Sequence, residues 1–424
     1  MAIHLSEHKE HILSVEDTPL FEALKTKQLR VLKTERGETI YPFLLLVSEE
    51  AITLKAHYYI GVDWLVGEEY VYIAPKMNCQ EEKVEIDFLK MLLEIYTADI
   101  EEKHTRDLLK IYWKEPQITI EQQKDFLTPF LVVQFLQLLK RITRKGLKKS
   151  YYTVEENLNS RIKGKIQIGK HLKQNVFKNK LTTHVCRYQE FGMDNLENRF
   201  LKKVLQFVIS FKNTHPTFFA GNEATISELI TYCTPYFELI SEGIDIENLK
   251  NITINPFFKE YEQAIEIGKH ILKRFSYNIT ETTQHKVSIP PFWIDMPKLF
   301  ELYVYKKLQE QFGREAVTYH LTADYTELDF LLNTPEYKMV IDAKYKPIYE
   351  DSRVIDDIRQ VSGYARLEAV YNEFKIEENK LIDCLIIYPS LEENKDLNFN
   401  KLETIKGYAK IYKQSLSIPL IIEH

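Results

Sequence analysis

Asp342 and Lys344 stand two residues apart in VIDAKYK, residues 340–346, an otherwise apolar run that reads as a strand entering a core. Side chains alternate along a strand, so Val340, Asp342 and Lys344 share one face, and Ile341, Ala343 and Tyr345 the other. The preceding run, LDFLL, carries Asp329, and NTPEYK with its turn-favouring Pro335 lies between the two. A four-residue loop over 334–337 sets Asn333 against Lys338, Leu331 against Val340, and Asp329 against Asp342. Opposed Cβ atoms sit about 5 Å apart. Two carboxylates so placed repel by roughly 3 kcal/mol at an effective dielectric of about 20. Lys344 can neutralise one of them, whereas a divalent cation neutralises both. Hard ions such as Mg²⁺ take one or two carboxylates and leave the other positions to water and phosphate oxygens. The expected gain is a metal platform, with an ammonium beside it to orient water or stabilise charge on a phosphate.

An acid followed two residues later by lysine is common here. Glu7/Lys9, Glu81/Lys83, Glu101/Lys103, Glu373/Lys375, Glu378/Lys380 and Glu393/Lys395 all qualify, but they lie in charged runs and read as solvated faces. Asp342/Lys344 alone sits inside an apolar strand with a facing aspartate. The competing reading is a salt bridge on an edge strand.

The elements that must hold these residues follow from periodicity. MPKLFELYVYKKLQEQFG (296–313) reads as an amphipathic helix, with Pro297 near its start and Gly313 past its end. Strands are expected at AVTYHL, ELDFLLN and YKMVIDAKYK. A helix follows over 352–372, then a strand at 381–388, a helical segment, and a terminal strand SIPLIIE (417–423). That is an α/β order. Upstream, 58–77 reads as a hairpin about Gly67-Glu68, and 81–100 carries apolar residues at helical spacing. From about 120 to 285 the pattern is mainly helical, interrupted by a strand-like insertion at 150–170, with NITETTQHK (278–286) as a linker. The expected fold class is multidomain α+β: a β-rich part at 1–115, a mainly helical middle region at 116–286 and an α/β part at 287–424.

The chain has 424 residues, enough for two or three domains, and its 44 % hydrophobic content is that of a globular protein. A formal net charge of −6 gives no general affinity for nucleic acid, so a DNA surface must be local. One candidate exists. Residues 140–180 hold thirteen Lys/Arg against two acids, Glu155 and Glu156, and Lys145, Lys148, Lys149, Arg161, Lys163 and Lys165 are the expected phosphate contacts. His4, His8 and His11 have helical spacing but no supporting carboxylate, and metal ligation there is not expected. The four cysteines are far apart without metal spacing, which favours reduced thiols. MAIHLSEHKEH has no signal-peptide pattern, and FLTPFLVVQFLQLL (126–139) is too short to span a bilayer and reads as a buried helix. A cytoplasmic protein without membrane attachment is expected.

With Asp329, Asp342-Ala343-Lys344 and the strand–turn–strand between them, the region resembles the PD-(D/E)xK nuclease superfamily, although Leu328 rather than proline precedes the first aspartate. Downstream, Gln360 and Tyr364 form Q-x-x-x-Y on one helix face, an arrangement that often accompanies such nucleases. More widely, YYIGVDWLVGEEYVYIAPKM, RIKGKIQIGKHL, CRYQEFGMDNLENRFLKK and WIDMPKLFELYV, in that order, are similar to segments of McrC, the nuclease subunit of McrBC-type restriction systems. The resemblance implies a β-rich N-terminal part that docks on a GTP-hydrolysing AAA+ ring, and a C-terminal endonuclease domain that cuts double-stranded DNA. It also implies stimulation of the partner's hydrolysis and a pairing of nuclease domains within the complex. No GxxxxGK[ST] loop occurs in the chain, so the motor belongs to another chain. Carried over residue by residue, Asp329, Asp342 and the Ala343 carbonyl are Mg²⁺ ligands, with Mn²⁺ able to substitute. Lys344 positions or activates water, Gln360 is auxiliary, and Glu301 reaches the metal through water. Two other readings stay open: a RecB-like repair nuclease acting without a ring, and a non-catalytic DNA-bridging or assembly subunit.

Overall fold

The computed structural model describes residues 2–14, 18–33, 39–48, 51–78, 84–98, 100–121, 127–214, 219, 223–242, 259–280, 286–323, 326–346 and 353–422. It is a mixed α/β chain that divides into two compact units, one made of 1–125 together with 285–424 and the other of 126–284.

The first unit contains two main sheets. One orders its strands Ala2–Ser6, Glu69–Ala74, Tyr59–Val66, Phe292–Asp295 and Leu109–Ile111. The expected hairpin is present, and Gly67 at its tip takes φ +59°, the left-handed conformation that a tight turn favours. Phe292–Asp295 enters this sheet as an interior strand, antiparallel to both Tyr59–Val66 and Leu109–Ile111. Trp293 on it is buried, and its Nε1 donates to Asp63 at 3.2 Å. Arg30 completes the cluster with two hydrogen bonds to the Asp63 carboxylate at 2.5 and 3.0 Å. That buried charge is therefore paired on both oxygens, as burial requires.

The second sheet runs Val317–Ala323, Thr326–Asn333, Lys338–Ala343, Asp383–Ser390, Ile411–Ser417 and Glu403–Thr404. Its first three strands form an antiparallel meander, and the next two add in parallel. Four consecutive residues of Lys338–Ala343, Met339 to Asp342, are buried, which explains its near-continuous apolar run. Leu328, Leu331, Val340 and Ile386 pack against Ile358, Val361, Val370 and Phe374 of two following helices. The helix Met296–Phe312 forms as its ends dictate. Asp295 caps it through a 3.1 Å bond from the Lys298 N–H, Pro297 occupies the first turn, and Gly313 follows the last.

Three expectations change. The helix read over 352–372 is two, Arg353–Tyr364 and Glu368–Phe374, with a turn at Ala365–Leu367 just beyond Gly363. The helical segment expected after residue 388 is instead turns and the strand Ile411–Ser417, since pairing beside Asp383–Ser390 outweighs a composition that suits helix. His4 and His11 lie on the strands Ala2–Ser6 and Glu10–Ser14 with His8 in the intervening turn, so helical spacing does not bring them together.

The second unit holds the helices Leu127–Lys145, Leu196–Thr214, Glu223–Cys233 and Lys259–Thr280. Leu127–Lys145 is buried along most of its length, as read. A sheet of Ser150–Asn159, Thr183–Gly192 and Lys165–Ile166 supplies the expected insertion. The proposed linker falls partly on the end of Lys259–Thr280, and 281–285 lies outside the described residues. Among the described residues no helix is long and apolar enough to cross a membrane, and Cys186, Cys233 and Cys384 are free and buried.

Candidate active site

The hairpin Thr326–Asn333/Lys338–Ala343 has the register set by a four-residue loop. Asn333 faces Lys338, Leu331 faces Val340, and the Thr334 N–H closes the turn on the Tyr337 carbonyl at 2.8 Å. One step beyond the last paired residues, Phe330 and Ile341, come Asp329 and Asp342. Asp329 Oδ2 accepts the Ala343 N–H at 2.8 Å, which ties the first aspartate to the end of the second strand. Asp342 is fully buried, while Asp329 keeps some exposure.

Lys344 Nζ lies 2.9 Å from Asp342 Oδ2 and 3.1 Å from Oδ1. Only the Oδ1 contact has hydrogen-bond geometry, so the buried Oδ2 has no donor of its own. The same ammonium donates to Gln360 Oε1 at 2.9 Å, and Gln360 Nε2 donates to the Tyr364 hydroxyl at 2.5 Å. Residues 342, 344, 360 and 364 thus form one chain of contacts from strand to helix.

Electrostatics follow from burial. Asp342 is pushed up to about 6, first by desolvation and then by the Asp357 and Glu301 charges, against the pull of Lys344. Asp329 is raised well above the usual carboxylate range by desolvation, by Glu301 and by Asp342, with the Ala343 N–H and Lys344 opposing. Burial disfavours the Lys344 ammonium, but Asp342 outweighs it and holds Lys344 above its ordinary range. Two carboxyls that each resist ionising, with one oxygen left without a donor, form a site short of positive charge.

Glu301, on the helix Met296–Phe312, stands close enough for its charge to act on both aspartates. Its Oε1 is 2.5 Å from His320 Nε2, so the carboxylate is held by a side chain and is not a free surface group.

Sequence reading missed three neighbours. Asp357 is buried, three residues before Gln360, and binds Lys346 Nζ at 2.8 Å and the Tyr388 hydroxyl at 2.9 Å. Its spacing from Gln360 is a usable signal, since i and i+3 share a helix face. His320 carries no motif. Glu7, read as part of a solvated run, is 1 % exposed. It accepts the Lys76 N–H at 3.0 Å and the Tyr345 hydroxyl at 3.3 Å, while Lys76 Nζ bonds the Tyr345 carbonyl at 2.5 Å. This network grips the residue next to Lys344.

Burial raises Glu7 to about 7, against the opposing charge of Lys76. A carboxyl raised in the fold favours the folded state while neutral, and that contribution is lost as pH rises through the folded value. Glu7→Gln should therefore gain stability relative to the unmodified protein between about pH 5 and pH 8, by up to roughly 3 kcal/mol. Paired denaturant titrations across that range test it. A constant difference would mean that Glu7 titrates alike in the folded and unfolded chain, so that burial does not raise it.

The basic residues of 140–180 are less one-sided in space than in sequence. Lys145 pairs with Glu260, Lys148 with Glu197 at 2.7 Å, and Lys163 with Glu190 at 2.6 Å. These acids lie outside the counted window. Lys149, Arg161 and Lys165 are exposed.

No curated protein matches the chain. Among solved structures, a chain of the refined half-complex from the tetradecameric assembly of Thermococcus gammatolerans McrB AAA+ hexamers with bound McrC is similar, at 17 % identity and a TM-score of 0.41, covering 98 % of this chain and 94 % of that one. A chain of the Thermococcus gammatolerans McrBC complex is similar at 16 % identity and a TM-score of 0.29, covering 74 % and 89 %. The family model of the McrBC 5-methylcytosine restriction system component matches residues 54–389, a span that includes Glu301, Asp329, Asp342, Lys344 and Gln360, and the chain belongs to that family.

Proposed function

We propose that this chain is the Mg²⁺-dependent DNA endonuclease subunit of an McrBC-type restriction complex, working with a GTP-hydrolysing AAA+ ring. The observation that carries the reading is the adjacent Asp329–Asp342 pair, with Asp342 fully buried and Lys344 paired to it.

The residues suit a hard cation. All offered donors are oxygens, the two carboxyls are held in an electropositive deficit, and Asp342 Oδ2 lacks a hydrogen-bond donor. Among the described residues no group of three or more His, Cys, Asp or Glu is arranged to hold a metal ion by itself. Asp329, Asp342 and the Ala343 carbonyl would therefore supply only part of a coordination shell, which is the habit of Mg²⁺ at phosphate sites. When bound, the ion supplies charge neutralisation and Lewis-acid stabilisation of a phosphoryl oxygen. Lys344, held by Asp342 and Gln360, presents an ammonium where it can orient the attacking water or stabilise charge developing on the phosphate. Gln360 and Tyr364 fix that ammonium. Lys149, Arg161 and Lys165 supply phosphate contacts in the other unit, with Lys145, Lys148 and Lys163 available only when DNA displaces their acidic partners.

The test is cleavage of double-stranded DNA by the purified chain with its AAA+ partner, GTP and Mg²⁺. Lys344→Ala should lower the cutting rate about 10²-fold, the scale of losing one preorganised donor to developing charge, and leave stimulation of GTP hydrolysis unchanged. Cleavage without any ring partner would favour an autonomous repair nuclease. Absence of cutting under Mg²⁺ and Mn²⁺, with stimulation intact, would make the chain an assembly subunit.

A further inference from the structure

His320 lies within the strand Val317–Ala323 yet takes φ +54°. Among the described residues, every other non-glycine residue with positive φ sits in a turn or bend, so His320 alone does this inside a strand. That conformation is uncommon for a side chain bearing a Cβ and persists where the surroundings impose it. The register places it between the pairs Tyr319↔Phe330 and Leu321↔Leu328, across from Asp329. Its consequence is visible in the rings. Consecutive strand residues ordinarily point to opposite faces, but Tyr319 and His320 stack at 3.9 Å with 15° between their planes. The reversed side chain meets two carboxylates, Glu301 through Nε2 at 2.5 Å and Glu327 through Nδ1 at 3.2 Å.

We propose that His320 is a positioning residue of this site: the turned backbone brings its imidazole onto Glu301 and so holds that carboxylate toward Asp329 and Asp342. The inference rests on the metal-dependent reading above. The Glu301 charge acts on both aspartates, and the stacked Tyr319 ring limits where the imidazole can go. Partners that orient a carboxylate near a metal typically change metal affinity by about 10- to 100-fold when removed.

The experiment is Mn²⁺ binding to the full chain without partner or DNA, followed by electron paramagnetic resonance. His320→Gly and His320→Asn both accept positive φ, so either can preserve the backbone while removing the imidazole. Each should keep the melting temperature within a degree or two of the unmodified chain and weaken Mn²⁺ binding about tenfold. Glu301→Gln should weaken it equally, and His320→Asn combined with Glu301→Gln no further, because both act through one carboxylate. Should the unmodified chain bind Mn²⁺ and both folded His320 variants bind it equally well, the positioning role is overturned and the metal site stands. Fully additive losses would also overturn it. If the unmodified chain binds no Mn²⁺, the metal-dependent reading falls and this inference with it.

Discussion

Asp342→Asn should leave DNA uncut, by a factor of about 10³ or more, and at the same time raise the melting temperature of the free protein at pH 7. On the proposed metal-dependent reading, the first effect follows from removing one of two anionic oxygen donors to a cation that would supply several kcal/mol of transition-state stabilisation, at about 1.4 kcal/mol per tenfold. The second follows from burial. Asp342 is raised to about 6 from the usual 3.8, chiefly by desolvation. Above pH 6 the folded chain must hold a charge that the unfolded chain carries freely, so Asp342 detracts from stability there, and the deficit disappears below about pH 4. Asparagine keeps the shape and removes the charge, and Lys344 retains Gln360 as a partner. A gain of about 1–3 kcal/mol, or several degrees, is expected. Mg²⁺ should stabilise the unmodified chain against heat and leave the variant unmoved, since only a form that binds the ion is stabilised by it. A variant that melts lower and still cuts would make Asp342 merely the structural partner of Lys344.

Gly61→Ala should cost about 3 kcal/mol or more, the sum of overpacking and an unfavourable backbone conformation. Gly61 takes φ +152°, and a Cβ there would overlap the Phe292 carbonyl oxygen and lie 2.9 Å from the Trp293 ring. Backbone on the neighbouring strand cannot give way as the end of a flexible side chain can. The pairing of Tyr59–Val66 with Phe292–Asp295 would open, and that strand leads directly into the helix that carries Glu301. Urea unfolding should report the loss, and DNA cleavage should fall with it. A variant within about 0.5 kcal/mol of the original, the scale of an ordinary surface change, would show that the sheet does not depend on this close approach.

The hairpin was legible because its determinants are local. Alternation assigns faces, Pro335 marks the turn, and loop length sets the register that puts Asp329 and Asp342 side by side. Membership of the McrBC family, shown by the match over residues 54–389, was legible in the sequence from segments spread along most of the chain. Local signals also misled. The charged stretch before Ile411–Ser417 suits a helix in isolation, and only a buried parallel neighbour makes its end a strand. The acid count over 140–180 overlooked Glu190, Glu197 and Glu260, which reach those lysines from elsewhere in the chain.

By itself, then, the order of residues determined the two aspartates, the adjacent lysine, the glutamine one helix face away and the bend that joins them. Tertiary structure decided the surroundings: Glu301 and His320 beside the aspartates, Asp357 behind Lys346, Glu7 under Tyr345, and Trp293 bonded to Asp63 from 230 residues away. The difference is physical. Register and turn conformation are settled by neighbours within a few residues, whereas these contacts form only when distant segments close on one another, and no local period records which segments will meet.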